Sequence, residues 1–173
     1  MKIIKFLGFS LILIGIFLPL NYQKEDYINI KNNQREIEKA LINNDYYAIL
    51  EIPKINLKKL IYPISSPENN LNKTVFNISN SIFPGSFKSN VILAAHSGIG
   101  INAYFRYLYK LSLNDEVLLY YNNDIYHYLI TEIEYQDKTG SLMLKEDYKD
   151  MITLITCTYH NDKTQTIYYA KMV

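Results

Sequence analysis

The chain opens on an apolar stretch, Phe6 to Leu20, broken only by Gly8, Ser10, Gly15 and Pro19 and preceded by Lys2 and Lys5. As a helix rising about 1.5 Å per residue it spans roughly 22 Å. Starting at Ile3 with Lys5 snorkelling extends it to about 27 Å, against a hydrocarbon core of ~30 Å. The pattern predicts a slightly short membrane anchor over 1–22. The rival is a cleaved signal peptide, with an apolar region of ~7–15 residues and a small-x-small cleavage step. Leu20-Asn21-Tyr22-Gln23-Lys24 contains no such step, which favours a retained anchor. Lysines before the span hold that end in the cytoplasm and send the rest of the chain outside.

From 23 to 45 the chain is polar and mixed in charge. Ile37, Ala40 and Leu41 stand at helical spacing beside Glu36, Glu38 and Lys39, so this segment reads as a stalk with a short amphipathic helix. Beyond it, residues 46–173 carry mostly strand-type patterning. Strands are expected at Tyr46 to Ile52, ended by Pro53, and at Leu60 to Ile64, Val91 to Ala95, Val117 to Tyr121, Ile125 to Glu134, Ile152 to Thr156 and Thr166 to Met172. Asn122-Asn123-Asp124 between two of them is a hairpin signal, and His160 to Lys163 is expected to be a loop. Ala103, Tyr104, Leu108 and Leu111 predict a short helix over Asn102 to Lys110. Seven or eight short strands with one or two small helices predict a mostly β fold, a closed or nearly closed β-barrel.

Composition narrows the function. Eighteen basic residues against 17 acidic give a net charge of +1, without the excess of cations needed to neutralise a phosphate track, so no nucleic-acid partner is expected. Seventeen Tyr and seven Phe supply ample surface to bury, which argues against disorder. The single cysteine forms no internal disulfide and supplies no cysteine cluster for a structural zinc.

That cysteine, Cys157, is placed to do chemistry. A lone thiol outside the cell is either buried and inert or useful, and Cys157 follows the apolar strand Ile152 to Thr156, at a rim where reactive groups are displayed. Its partner would be a histidine that carries a proton or sets up the thiolate. His127, among Tyr126, Tyr128 and Leu129, reads as a cross-strand surface residue. His160, three residues after Cys157 in a polar loop, could approach the thiol, but a histidine at a strand exit is commonly just solvated. His96 directly follows Val91 to Ala95 and precedes Ser97-Gly98, so it too stands at a strand end. His96 and Cys157 are 61 positions apart (96 to 157), so they meet only if the fold brings them together.

These segments resemble the sortase family. Leu93-Ala94-Ala95-His96-Ser97-Gly98 resembles its histidine motif and Thr153-Leu154-Ile155-Thr156-Cys157-Thr158 its Thr-Leu-x-Thr-Cys motif. Glu51-Ile52-Pro53-Lys54-Ile55 resembles the signature that opens the barrel. Tyr104-Phe105, Leu108, Leu111, Asn114-Asp115 and Val117 resemble the segment after the histidine, and Pro84-Gly85 before Asn90 also fits. The likeness runs from about residue 47 to 173 in order and in spacing.

The resemblance implies an eight-stranded sortase-like barrel bearing an extracytoplasmic cysteine transpeptidase. Such enzymes cleave a Leu-Pro-x-Thr-Gly-like sorting signal on surface proteins at the Thr carbonyl. They pass the acyl group to an amine of a peptidoglycan precursor or a pilin. By the same likeness Cys157 is the nucleophile and His96 the acid/base, the host is Gram-positive, and the loops 71–90 and 137–150 set specificity. The family's arginine, five residues before an alanine of the last strand, falls on Gln165, counted back from Ala170. Gln165 donates neutral hydrogen bonds only. Lys163 could supply a cation instead, although it reads first as a solvated loop lysine, and Gln165 could be an ordinary strand-entry residue with Thr164 or Thr166 donating; Arg35 and Arg106 match no motif position. A second reading is therefore a sortase-like protein that binds sorting peptides without turning them over. A metal site of His96, His127 and Cys157 has little in its favour, lacking closely spaced ligands. No cofactor is expected, and calcium is left open.

Overall fold

The computed structural model describes residues 24, 27–28, 30–42, 46–140, 142–145 and 149–173. The anchor expected over 1–22 lies outside the described residues. No described helix is long and apolar enough to cross a membrane. Residues 30–42 are helical, with Ile37 and Ala40 buried and Leu41 exposed.

The rest is an eight-stranded sheet in the order β2-β1-β5-β6-β8-β7-β4-β3. β1 (Ala48–Ile52) is stopped by Pro53, which opens a 3-10 turn, Pro53–Ile55, closed by Asn56 in the left-handed region at φ 51°. This tight reversal places Leu57 opposite Ile52, so β2 is Leu57–Ile61. The strand expected at Leu60 to Ile64 is thus displaced toward the N-terminus, because turn geometry rather than the apolar run sets its start. β3, Phe76–Asn77, is two residues long and gives no period to read in sequence.

β4 (Asn90–Ala94) and β7 (Met151–Thr158) pair in parallel, and both are buried almost throughout, as expected of strands covered on both faces. β5 (Glu116–Tyr121) and β6 (Asp124–Asp137) form a hairpin. Its turn residues Asn122 and Asn123 both have positive φ, 52° and 69°, the tight primed turn that asparagine tolerates. β6 is long because it serves two neighbours. Residues 124–129 pair with β5, and residues 128–137 pair with β8 (Asn161–Met172), with an irregularity between Ile130 and Glu132 where the strand bends.

Three further expectations are corrected. The barrel is not closed by backbone ladder: its edges are β2 and β3. Thr74 Oγ1 donates to Leu60 O at 3.1 Å, and the fully buried Asn77 donates through Nδ2 to Tyr62 O at 3.2 Å, so side chains bridge the gap. The helix expected over Asn102 to Lys110 is a run of turns with one 3-10 turn, Leu108–Lys110. There the Phe105 N–H leaves the helical ladder to donate to His96 O at 2.9 Å. The loop expected at His160 to Lys163 shrinks to Tyr159 and His160, since Asn161 already begins β8.

The alternation of side chains sorts the core into two layers. Leu50, Leu93, Leu119, Tyr128, Ile130, Ile152 and Leu154 fill the barrel interior, where Phe105 and Leu108 join them. On the opposite face of β4, β7 and β8, Ile92, Ile155, Ile167 and Tyr169 form a second cluster, against which Ala94, Leu142 and Leu144 pack.

Candidate active site

Parallel pairing of β4 with β7 matches Asn90 with Met151 and Ala94 with Ile155, a constant offset of 61 residues (94 to 155). The same offset separates His96 from Cys157. Hydrogen bonds carry the pairing past the ladder: the Ala95 N–H donates to Ile155 O at 3.3 Å, Thr156 Oγ1 to Ala95 O at 2.8 Å, and Ser97 Oγ to Cys157 O at 2.8 Å. The two chemical residues are therefore brought side by side at the ends of neighbouring strands.

Their shared face follows from parity. Ile92 and Ala94 on β4, and Ile155 on β7, belong to the second apolar cluster, so two-residue steps carry His96 and Cys157 to that same outer face. Both are half-buried. Both line one groove of about 920 Å³, walled by residues 97–103, Arg106, Tyr107 and Tyr109 on one side and by Lys138 and residues 158–162 on the other. Apolar and aromatic groups dominate its rim. Tyr109 and Tyr159 stack with ring centroids 4.0 Å apart, and Ile99 and Ile101 are exposed. A long apolar groove with a few polar groups is the ordinary form of a peptide or small-molecule site.

The imidazole is oriented by a bond that its motif does not announce. His96 Nε2–H donates to Asn72 Oδ1 at 3.4 Å, a long bond, which in the neutral ring leaves Nδ1 as the acceptor. Asn72 itself is set by a turn in which its N–H donates to Asn70 Oδ1 at 2.9 Å. Cys157 is a free thiol. Thiol, imidazole and groove together permit nucleophilic attack with proton transfer.

The remaining candidates sort by position. Gln165 is the direct ladder partner of Cys157, half-buried, and absent from the described lining of the groove. Lys163 is exposed and also absent from that lining, its N–H donating to Asn161 Oδ1 at 3.1 Å. His160 lines the groove on the β7–β8 turn, with a positive φ of 57° and its ring packed on Tyr159. His127 is elsewhere, its Nδ1 3.1 Å from Glu116 Oε1 on the β5–β6 hairpin, so it does not join His96 and Cys157. Among the described residues no group of three or more His, Cys, Asp or Glu converges as metal ligands would. Of the loops expected to set specificity, Lys138 alone contributes to the described lining.

Sequence reasoning missed Arg106, which lines the groove although it fits no motif position. The available signal was that it is one of only two arginines and stands ten residues after His96 (96 to 106). It also missed Ser97, whose hydroxyl ties the two strand ends together.

A thiol and an imidazole held at the ends of parallel strands, on the outer face of a nearly closed eight-stranded barrel, define a thiol–imidazole barrel protein. Solved structures share this fold. Sortase C1 of GBS pilus island 1 superposes with a TM-score of 0.63 at 24% identity, covering 75% of this chain and 64% of that one. Sortase A from Corynebacterium diphtheriae matches with a TM-score of 0.63 at 24% identity, over 74% and 60%. A sortase C1 from Streptococcus agalactiae gives 0.62 at 26% identity, over 73% and 66%. The chain thus spans less than two thirds of these relatives' length. No curated protein sequence matches it. The model of the sortase domain matches residues 50–173, and the chain belongs to the sortase family.

Proposed function

We propose that this protein is a membrane-anchored cysteine transpeptidase. In this reading it cleaves a Leu-Pro-x-Thr-Gly-like sorting signal of surface proteins and joins the new carboxyl end to an amine of the cell wall or a pilin. The barrel faces outward from the cytoplasmic membrane on the anchor at 1–22. One observation carries the reading: the 61-residue parallel offset of β4 and β7 sets His96 beside Cys157 in a single groove.

The chemistry follows from ordinary acidities. A thiol with pKa about 8.5 is a few per cent ionised at neutral pH, so an adjacent imidazole that carries protons raises its usefulness. The Cys157 thiol gives its proton to His96 and its sulfur attacks the Thr carbonyl carbon, a C–S bond forms, and the carbonyl electron pair moves onto oxygen. Collapse breaks the C–N bond, and the leaving amine takes its proton from His96. The incoming amine then attacks the thioester, gives its proton to His96 and releases the sulfur.

Cys157→Ala is expected to abolish transfer with an unchanged melting temperature. Full activity of the variant would overturn the assignment. The neutral Gln165 supports a second reading, a peptide-binding sortase-like protein without turnover. A peptide acyl adduct on Cys157, seen by intact mass after mixing with a sorting peptide, would decide for the enzyme.

A further inference from the structure

The barrel has an end that the site does not use. Strand order and pairing make β1, β4, β6 and β7 begin, and β2, β5 and β8 finish, at the end opposite His96 and Cys157. The chain enters the barrel there, the Tyr47 N–H donating to Ile61 O at 2.9 Å. Tyr47, Phe83 and Tyr121 pack their rings with centroids 4.6, 5.3 and 5.0 Å apart and cap the core at this end. Exposed apolar groups follow its rim: Tyr47 before β1, Ile64 after β2, Phe87 before β4, Ile125 in β6 and Val173 after β8. Phe87 stands out furthest, at 80% exposure, and two exposed lysines attend its ring. Lys149 Nζ lies 4.8 Å from the ring centroid and Lys88 Nζ 6.0 Å. These three residues come from the loops that lead into Asn90 and Met151, partners in the β4–β7 ladder. Lys88 and Asp150 both have positive φ, 62° and 53°, uncommon for residues with side chains, so each loop turns sharply before its strand. Ser89 Oγ donates to Asp150 Oδ1 at 2.8 Å and joins the two loops.

We propose that this end of the barrel rests on the surface of a lipid bilayer, with the Phe87 ring entering the headgroup layer and Lys88 and Lys149 meeting lipid phosphates. This rests on the anchor proposed at 1–22. An aromatic ring gains free energy at the boundary between headgroups and acyl chains, and lysines beside it keep their ammonium groups at the level of the phosphates. A tether joined to the barrel at this end lets the Phe87 rim reach lipid without turning the barrel over. His96 and Cys157 then face away from the bilayer. Six residue steps along β4 and just beyond (90 to 96), at about 3.3 Å each, lift the groove by up to roughly 20 Å.

The chain has no tryptophan, so a single introduced indole reports on its own position. Phe87→Trp is compared with Leu113→Trp, an exposed position that precedes β5 at the groove end. Each full chain is reconstituted into vesicles of phosphatidylcholine and phosphatidylglycerol, with and without bromine on the acyl chains near the headgroups. Bromine should quench the indole at 87 at least about threefold more than that at 113, with a blue-shifted emission, as expected for a ring about 5–10 Å deep. Adding Lys88→Gln and Lys149→Gln, or raising salt, should cut the quenching at 87 by about half or more. Equal quenching at the two positions overturns the proposal. So does a blue shift at 87 that bromine leaves unquenched and that grows with protein concentration, which marks a second copy of the chain as the occupant. Quenching that ignores both the lysine substitutions and salt overturns the role given to the phosphates. Release of the chain from the vesicles by an alkaline wash would sink the anchor reading, while the quenching at 87 before the wash still decides the docking.

Discussion

Cys157 and Gln165 are direct partners across the β7–β8 ladder. Opposed residues of an antiparallel pair project to the same face, so Gln165 is the side chain that flanks the thiol on the side away from β4 and His96. The position where the family has an arginine therefore adjoins the sulfur, and a neutral amide occupies it.

Gln165→Arg is expected to raise kcat/KM for peptide cleavage by adding charge beside the developing oxyanion. Gln165→Ala should lower it by less than the roughly 10²- to 10³-fold typical of a lost oxyanion donor, since an amide is the weaker donor. Steady-state kinetics on one sorting peptide check both. No change in either variant would remove position 165 from the site.

Ser97→Ala deletes the hydroxyl that donates to Cys157 O at 2.8 Å. One part-buried hydrogen bond is worth about 1 kcal/mol net, so the urea midpoint should fall modestly. Turnover should drop more than binding, because the two strand ends lose their tie. A kcat unchanged alongside the lower midpoint would show that the bond serves stability alone.

Leu154→Ala empties a fully buried position in β7, between the strands that carry the site. The expected loss is about 2–5 kcal/mol by denaturant titration, set by how far the cavity collapses. A loss below about 1 kcal/mol would contradict the packing described.

Alkali should unfold the barrel earlier than its ion pairs suggest. Burial pushes the phenols of Tyr168 and Tyr169 up to about 12, against about 10 in the unfolded chain. The folded state thus keeps protons that the unfolded chain releases. The associated stability is complete below pH 10 and is lost as pH rises from 10 to 12, at up to about 1.4 kcal/mol per unit and tyrosine. Tyr168→Phe should flatten that slope in melting curves taken across the window.

What could be read in the sequence was whatever local pattern decides. β4 and β7 stand out because parallel strands covered on both faces become unbroken apolar runs. The β5–β6 hairpin stands out because two adjacent asparagines suit positive φ. His96 and Cys157 were readable as strand-end residues, yet their meeting was not, since it depends on a register spanning 61 residues (96 to 157). Arg106 was hidden for a different reason. The spacing of Ala103, Leu108 and Leu111 mimics a helix, whereas a backbone bond from Phe105 to His96 turns that segment against the groove. β3 has too few residues to show a period, and β2 is placed by the Pro53 turn rather than by its own composition.

The parallel β4–β7 junction also orders events during synthesis. Everything between the two strands must be made before they can dock, and their pairing closes a long loop at an entropic cost. A chain that has not completed this docking holds its sulfur and its ring apart. Under the proposed roles, the cooperation of sulfur and ring begins only once the barrel is assembled, and a half-built molecule carries an ordinary thiol in its place.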